Sequence, residues 1–381
     1  MRGRVDYQDE IFHTFNLDEM IPANHPLRAI KARVDGILKG MSRRFGAAYA
    51  KTGRPSIPPE RLIKALLLQA LYSIRSEIQL CEQIGYNLLY RWFLDMTPSE
   101  GVWTPEVFSM NRQRFDQHGF VRDFFDRVVT EAILEGLVSE EHFSVDGTLI
   151  QSFASIKSLR PLDSKDTQVS DNADDDDPGN PTVNFRGQKR TNKTHRSLID
   201  PEARLARKGR GKPALLSHSA HVLMENRHGL CLDVAVDQAD GYAERRCAAM
   251  MLDRTYRHHE IWPKTLGADA AYKDGQFLAR LEADEITPHV PLPEDPIRGQ
   301  DEAARARRRA RRRRKTKSYA LSQRIRKRAE EIIGWCKEVG GLARARFVGR
   351  WKIKQQADVT VAAYNLVRLA RLAPTLCPQS G

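Results

Sequence analysis

The chain has 381 residues, of which 41% are hydrophobic and 29% are charged, and its formal net charge is +13 at pH 7. This composition is ordinary for a folded, soluble protein of about two domains, and it excludes a chain too polar to form a core. The positive charge indicates a polyanionic partner, with nucleic acid as the first candidate, although a basic protein without such a partner would carry the same charge.

The cysteine and histidine residues indicate neither a disulfide framework nor a zinc site. The five cysteines are scattered and include no CxxC pair, which argues against both arrangements. His218 and His221 lie on a predicted strand, where their spacing directs the side chains to opposite faces, so they are not expected to be metal ligands. The most apolar run, Ala65 to Ile74, is too short to span a bilayer, which needs about 20 residues. We therefore expect a cytoplasmic protein.

Residues 1–137 are predicted to form a helical N-terminal domain. Pro58 and Pro59 before Glu60 indicate a helix start, and a second helix is predicted to end near Trp92. The apolar residues between these points recur at helical spacing and are assigned to core packing. Several basic side chains of this domain could contact DNA phosphates, although exposed basic residues are also common without that role: Arg54, Arg61, Lys64, Arg75, Arg112 and Arg114.

The pattern changes after Gly136, where a second domain is predicted over residues 138–375. The segment His142 to Ile150 alternates and is rich in strand-forming residues, so it predicts a first strand. Residues 151–213 are polar and contain an acidic run, Asp174 to Asp177. Such a segment cannot bury enough apolar surface to fold alone, and it is predicted to be a long, partly disordered insertion.

The remaining elements predict a mixed α/β fold. The alternation from Leu230 to Val236 is the clearest strand, and a turn near residues 226–229 joins it to a preceding strand in a hairpin. A helix, a short strand ending at Leu266, a second helix and a strand near residues 286–290 follow. The order of strand, strand, strand, helix, strand, helix, strand is that of an RNase H-like fold with helices on its faces. The C-terminal pattern from Val359 to Leu372 is interpreted as a closing amphipathic helix.

Three acidic residues stand at positions where they could meet. Asp146 is expected near the end of the first strand, and Asp269 shortly after the fourth, on the edge where strand ends form functional crevices. Glu330 lies on a predicted helix from Tyr319 to Val339. Carboxylates without His or Cys suit Mg²⁺ or Mn²⁺, and two such ions can promote phosphodiester chemistry. For a single Asp after a strand, a turn or helix cap is the commoner explanation.

The segments around these acids resemble the DDE transposases of the insertion-sequence-5 family, within the insertion-sequence-4-like superfamily, over nearly the whole chain. The N-terminal segments that carry the resemblance are Gly53–Arg–Pro–Ser–Ile–Pro–Pro–Glu60, Leu71–Tyr–Ser–Ile–Arg–Ser–Glu77 and Tyr86–Asn–Leu–Leu–Tyr–Arg–Trp92. The catalytic segments are Phe143–Ser–Val–Asp–Gly–Thr148, Gly267–Ala–Asp–Ala–Ala–Tyr272 and Arg326–Lys–Arg–Ala–Glu–Glu–Ile–Ile–Gly–Trp–Cys–Lys337. The resemblance implies that Asp146, Asp269 and Glu330 are the catalytic, metal-binding residues.

The superfamily that the third segment resembles has a signature of Tyr, Arg, Glu and Lys at fixed spacing. Arg326, Glu330 and Lys337 match the last three positions, whereas Gln323 stands at the Tyr position. On a continuous helix the three matching residues share one face. The resemblance implies that Arg326 and Lys337 bind DNA, while the charge pattern alone would equally fit a salt-bridged helix face. The adjacent Glu331 would need its partners at Lys327 and Glu338, and Glu338 has the wrong charge.

An Arg-rich segment, residues 301–317, precedes this signature. Such a block could be ordered by DNA phosphates, or it could be a solvated or disordered charged linker. If it binds DNA, it adds affinity but no sequence preference, because phosphate contacts position a protein whereas base contacts specify.

The resemblance implies a DNA transposase that cleaves at transposon ends and transfers the strands into target DNA. It implies Mg²⁺ or Mn²⁺, with two ions expected, and double-stranded DNA as partner, in both terminal inverted repeats and target. It also implies a homodimer on DNA and a location in the bacterial cytoplasm, associated with the nucleoid. The alternatives are a catalytically inactive, transposase-derived DNA-binding protein and a nuclease on the same scaffold.

Overall fold

The computed structural model describes residues 16–50, 52–53, 55–162, 183–185, 187–209 and 212–373. The helices of these ranges are α1 (Leu17–Met20), α2 (Pro26–Ala48), α3 (Pro59–Leu71), α4 (Glu77–Tyr86), α5 (Leu88–Phe93), α6 (Glu106–Gln117), α7 (Phe120–Leu134), α8 (Ala243–His259), α9 (Gly275–Ala283), α10 (Glu302–Arg313), α11 (Lys317–Ile325), α12 (Arg328–Glu338) and α13 (Arg350–Leu372). The strands are β1 (His142–Gln151), β2 (Leu159–Pro161), β3 (Val183–Phe185), β4 (Gln188–Arg190), β5 (His195–Ser197), β6 (Arg204–Ala206), β7 (Leu215–Glu225), β8 (Leu230–Gln238), β9 (Thr265–Gly267) and β10 (Thr287–His289).

The N-terminal helices begin where the proline signals predict, but one predicted helix is divided. α3 starts at Pro59, with Pro58 at its N-cap. Proline suits the first position of a helix, because the N–H group that it lacks would have no helical partner there. The helix predicted to run to Trp92 is interrupted at Asn87, whose side chain accepts a hydrogen bond from Leu89 N at 3.0 Å. Asn87 thereby ends α4 and caps α5, because its side chain competes with the helical backbone for donors.

Strands β8, β7, β1, β9 and β10 form the main sheet in that spatial order. β1 and β7 are antiparallel, as are β7 and β8, whereas β9 and β10 run parallel to β1. β6 pairs with the first residues of β7, so β6 and β8 share the same edge of that strand. The predicted first strand, the hairpin and the later alternation of helices and strands are confirmed.

The position of Asp146 within its strand differs from the prediction. Asp146 was expected near the end of the first strand, but β1 extends to Gln151. Pairing with β7 continues as far as Gln151 opposite Ser217. This pairing keeps the backbone of β1 extended for five residues after Asp146. Asp146 therefore lies in the middle of a long strand.

The polar insertion contains ordered structure where it is described. Strand β2 pairs with β5, and β3 pairs with β4. A small second cluster of buried side chains packs beneath them and includes Leu216 of β7: Ala154, Leu159, Ala203, Leu205 and Leu216. The prediction of a long loop is therefore wrong for these parts, because apolar residues from distant positions meet on the sheet. The acidic run Asp174 to Asp177 lies outside the described residues, as do Arg54 and Cys377.

The C-terminal helix α13 is central to the molecule. It contacts α2, α3 and α7 as well as β8, and its buried residues occur on every side and include Gln355, Asp358 and Asn365. A helix that packs on all sides cannot have one solvated face, so the prediction of a closing amphipathic helix is wrong, although its assignment to packing is correct. No helix in the described ranges has the length and apolar character needed to cross a bilayer.

A buried ion network joins the helices to the sheet. Asp233 on β8 is fully buried and accepts hydrogen bonds from Arg254 Nε and Nη2, both at 2.8 Å, and from Arg122 Nη1 at 2.5 Å. Burial by itself raises the pKa of Asp233, but the two guanidinium groups outweigh it and lower the pKa. The carboxylate therefore remains charged and bridges α7 and α8 across β8.

Candidate active site

The sheet places Asp146 and Asp269 side by side. β1 and β9 are parallel, and their last paired residues are Ser144 and Gly267. Asp146 lies two residues after Ser144, and Asp269 lies two residues after Gly267. The two acids therefore occupy equivalent places on neighbouring segments, which are about 4.8 Å apart in a sheet. Both side chains line one cavity of about 210 Å³. The predicted meeting of these two carboxylates is thus a direct result of strand register.

Each carboxylate of this pair is held by a local backbone hydrogen bond. Asp146 Oδ1 accepts from Gly147 N at 2.9 Å, and Asp269 Oδ1 accepts from Ala271 N at 2.9 Å. Burial raises the pKa of Asp146, and the negative charges of Asp269 and Glu330 raise it further. A positive charge placed between the acids would relieve this repulsion.

Glu330 approaches the pair from a helix that is not continuous. The predicted helix from Tyr319 to Val339 is divided into α11 and α12 by a turn at Arg326–Lys327. In this turn Ala329 N donates to Arg326 O at 2.9 Å, a 3₁₀-type bond that tightens the chain without breaking its right-handed course. Glu330 therefore stands, exposed, in the first turn of α12. The prediction that Arg326 and Glu330 share one face of a single helix is wrong in this respect.

Arg326 lies beside the first acid. Its Nη1 atom is 3.6 Å from Asp146 Oδ2, and its positive charge opposes the rise in the pKa of Asp146. Lys337 is half-buried on α12. Burial lowers the pKa of Lys337, and the nearby charge of Lys208 lowers it further. Arg326 therefore belongs to the surroundings of the acid pair, whereas Lys337 is related to the cavity only through the charge of Lys208, which lines it.

The donor set fits a divalent cation in part. Asp146 and Asp269 offer only oxygen atoms, which Mg²⁺ and Mn²⁺ prefer. Glu330 acts on Asp146 through its charge but is not among the residues that line the cavity. Across the described ranges, no three His, Cys, Asp or Glu side chains are grouped closely enough to hold a metal ion. The two aspartates thus fit as a cation site, and Glu330 would have to move toward them to complete it.

A buried histidine and tyrosine lie beneath the first acid and were not predicted to belong to the site. A Cβ atom on Gly147 would lie 2.6 Å from Nδ1 of His221, so only glycine fits beside that ring. Nδ1 of His221 is 3.4 Å from the hydroxyl of Tyr272. Burial lowers the pKa of His221 to about 4, so the ring is neutral at pH 7. The expectation that His218 and His221 point to opposite faces is confirmed, because His218 contacts Asp200 instead, at 2.8 Å.

Helix α11 is attached to the strand ends that carry Asp269. Gln323 Nε2 donates to His289 O at 2.6 Å and to Ala268 O at 3.3 Å. Gln323, which stands at the Tyr position of the signature, therefore ties α11 to β10 and to the residue before Asp269. Ser322, one residue earlier, is fully buried against Gly267.

The Arg-rich segment is an ordered helix whose arginines are largely engaged within the protein. Arg309 Nη2 lies 2.5 Å from Glu282 Oε2, and Arg313 pairs with the same carboxylate. Other arginines donate to backbone carbonyls of the preceding loop: Arg308 to Ile297 O at 3.0 Å, Arg311 to Pro293 O at 2.8 Å and Arg314 to Leu292 O at 2.7 Å. Of the two alternatives, a disordered linker is therefore wrong, because these internal acceptors hold the helix in place.

Three further charged residues line the acid cavity and were not assigned to the site from the sequence. Glu244 stands in the first turn of α8, and Arg207 and Lys208 follow directly after β6. In the sequence, Lys208 is only one of several basic residues in the polar stretch of residues 151–213. Its position depends on the pairing of β6 with β7, for which three residues of strand give little signal.

Comparison with known proteins agrees with this geometry. Residues 157–366 match the family described as Transposase DDE domain, and residues 15–114 match the family described as Transposase domain (DUF772). The first match covers more than half of the chain and includes Asp269, Arg326, Glu330 and Lys337, but it begins after Asp146. No curated protein and no solved structure gives a significant match. The chain belongs to the Transposase DDE domain family, and such a protein acts on DNA.

Proposed function

We propose that the chain is an active DNA transposase, which cleaves at transposon ends and transfers the freed strands into target DNA. The observation that carries this proposal is the register of Asp146 and Asp269 on neighbouring parallel segments, at one cavity. A structural cap would require one such residue, whereas here the charge of Asp269 contributes to the raised pKa of Asp146, so the closeness of the two carboxylates costs stability. Their proximity is best explained by a shared positively charged ligand.

The fold supports the same assignment. We interpret the spatial order β8, β7, β1, β9, β10, with the last two strands parallel to β1, as an RNase H-like sheet. We assign residues 138–375 to this catalytic domain and residues 1–137 to a helical N-terminal domain. The proposed division lies in the connection between α7 and β1. Within the family, we place the chain with the insertion-sequence-5 transposases on the segments quoted above.

The chain's own residues would act as follows. Asp146 and Asp269 would hold a divalent cation, with Glu330 as the third ligand once α12 approaches. When bound, Mg²⁺ or Mn²⁺, as one ion or two, would promote ionisation of the attacking oxygen and neutralise charge on the leaving oxygen. The backbone N–H groups of Gly147 and Ala271 orient the two aspartates.

Two cationic residues would position the DNA. Arg326, at 3.6 Å from Asp146, would orient this acid and contact a nearby phosphate. Lys337 would contact the transposon end from the next turns of α12. Because a transposase must hold both ends of its element, we propose that the chain acts as a homodimer on DNA.

One observation favours a second function, a catalytically inactive DNA-binding protein descended from a transposase. Glu330 does not line the acid cavity, and no three-ligand cluster occurs in the part of the chain that the structure describes. A protein that only binds DNA would need the basic surface but not the third carboxylate.

A cleavage assay separates these functions. Purified protein is incubated with DNA that carries the repeats flanking its own gene, in Mg²⁺ or in EDTA, and both cleavage and strand joining are scored. Asp253→Asn is the matched control, since Asp253 is exposed and pairs only with Arg280 among the described residues. Metal-dependent cutting at the repeat ends that Asp146→Asn abolishes and Asp253→Asn preserves would support the transposase. Binding without cutting in any divalent ion would favour the inactive protein.

A further inference from the structure

A basic segment borders the acid cavity on the side of the insertion. Arg207 and Lys208 are exposed and line the same cavity as Asp146 and Asp269. Strand β6 ends immediately before them and is fixed to β7 through the pairing of Ala206 with Leu215. The backbone position of Arg207 and Lys208 is therefore fixed by the adjoining strand pairing. The cavity is therefore lined by acidic residues of the sheet and by two basic residues of the insertion.

Lys208, which lines the cavity, acts on Lys337 of α12 through its charge. Burial lowers the pKa of Lys337, and the positive charge of Lys208 contributes to the same shift. Within the described residues, neither lysine forms an ion pair with a carboxylate. Several arginines of α10 differ, because Glu282 and the loop carbonyls accept hydrogen bonds from them. Two neighbouring cations without a counterion repel each other, and an anion placed between them would remove that repulsion.

We propose that Arg207 and Lys208, which line one cavity with Asp146 and Asp269, bind one phosphate of the DNA strand next to the phosphodiester on which the acids act. This inference rests on the proposed function. A DNA strand that approaches Asp146 and Asp269 meets their negative charge, and a basic group at the same cavity offsets that repulsion. The contact is to the backbone, so it supplies affinity and position but no sequence preference.

DNA binding in EDTA tests this site without catalysis. The affinity for a duplex carrying the flanking repeat is measured by fluorescence anisotropy over a range of salt concentrations. Lys208→Ala should weaken binding several-fold and reduce the slope of log affinity against log salt by about 1. Lys208→Arg should retain both values. The melting temperature should not change, because the side chain is exposed.

Lys264→Ala is the control. Lys264 lies just before β9, at the opposite end of that strand from Asp269, and pairs with Glu141 at 3.0 Å while both side chains remain exposed. Its removal takes away the same charge from the same sheet. Equal affinities and equal salt slopes for Lys208→Ala and Lys264→Ala would overturn the proposed phosphate site while leaving the transposase assignment intact. A wild-type protein that fails to bind DNA would overturn both.

Discussion

Gly267 and Ser322 approach so closely that a Cβ atom on Gly267 would lie 2.8 Å from Oγ of Ser322. This contact seats α11 on the end of β9, and Gly267 precedes Asp269 by two residues. Gly267→Ala should therefore push α11 away and lower the free energy of unfolding by about 1–3 kcal/mol. The measurement is urea denaturation followed by circular dichroism.

The second substitution Ser322→Ala should restore part of this loss, because it removes the atom that clashes. Gly334→Ala is the control, since Gly334 lies in α12 with open space around its Cα. There the substitution should be neutral or stabilise by about 0.5–1 kcal/mol. If Gly267→Ala proves as benign as Gly334→Ala, the close packing of α11 is not required.

Asp233→Asn should strongly destabilise the protein. The substitution leaves Arg122 and Arg254 buried without their shared counter-charge, and the expected loss is about 3–5 kcal/mol. Asp253→Asn, which breaks an exposed pair with Arg280, should cost no more than about 1 kcal/mol. Comparable losses for the two variants would contradict the bridging role of Asp233.

The same carboxylate should shape the dependence of stability on pH. The pKa of Asp233 is lowered in the folded protein, so the folded state favours the ionised form more than the unfolded state does. Its contribution is complete well above the unfolded pKa of about 3.9 and is lost as pH falls through that value and below. Melting temperatures between pH 3 and pH 7 should fall more gently for Asp233→Asn than for the wild type.

The arginines of α10 should divide into structural and exposed groups. Arg311→Ala removes a hydrogen bond to Pro293 O and should lower the melting temperature, because the loop carbonyl loses its donor. Arg312 is exposed, and Arg312→Ala should leave the melting temperature unchanged. Differential scanning fluorimetry in EDTA measures both, and the reverse order of effects would show that the helix does not depend on these internal bonds.

Asp146→Asn and Asp269→Asn should each remove cleavage, by at least about 100-fold in a single turnover, without loss of folding. Each substitution removes one member of a repelling pair, so melting temperatures in EDTA should equal or exceed that of the wild type. Asp233→Asn should show the opposite behaviour, with a lower melting temperature. An inactive Asp146→Asn that also unfolds would indicate a structural carboxylate.

Local patterns explain why the sheet and the first two acids could be predicted. The alternation in β1 and β8 is a property of the sequence itself, and Asp269 follows a strand whose end is marked by Gly267. The pairing of β1 with β9 then brings Asp146 and Asp269 together, whereas their choice as the acids of the site came from the flanking segments that resemble the transposase family.

Other features depend on contacts that local patterns do not contain. The turn at Arg326–Lys327 includes neither Gly nor Pro and keeps right-handed backbone angles, so no local signal marked it. The Arg-rich helix is ordered by carbonyls of a neighbouring loop. Lys208 reaches the cavity through the pairing of β6 with β7, which the polar composition of residues 151–213 concealed.

The central position of α13 has a consequence for how the protein is made. A chain is synthesised from its amino end, and α3 and α7 pack on α13, which lies more than 200 residues further along. The amino-terminal helices therefore wait for residues 350–372 before their apolar surfaces are covered. A message interrupted before this point would yield a polypeptide with exposed apolar helices, a target for cellular proteases. The packing of the amino-terminal helices is therefore complete only once the chain has been synthesised beyond α13.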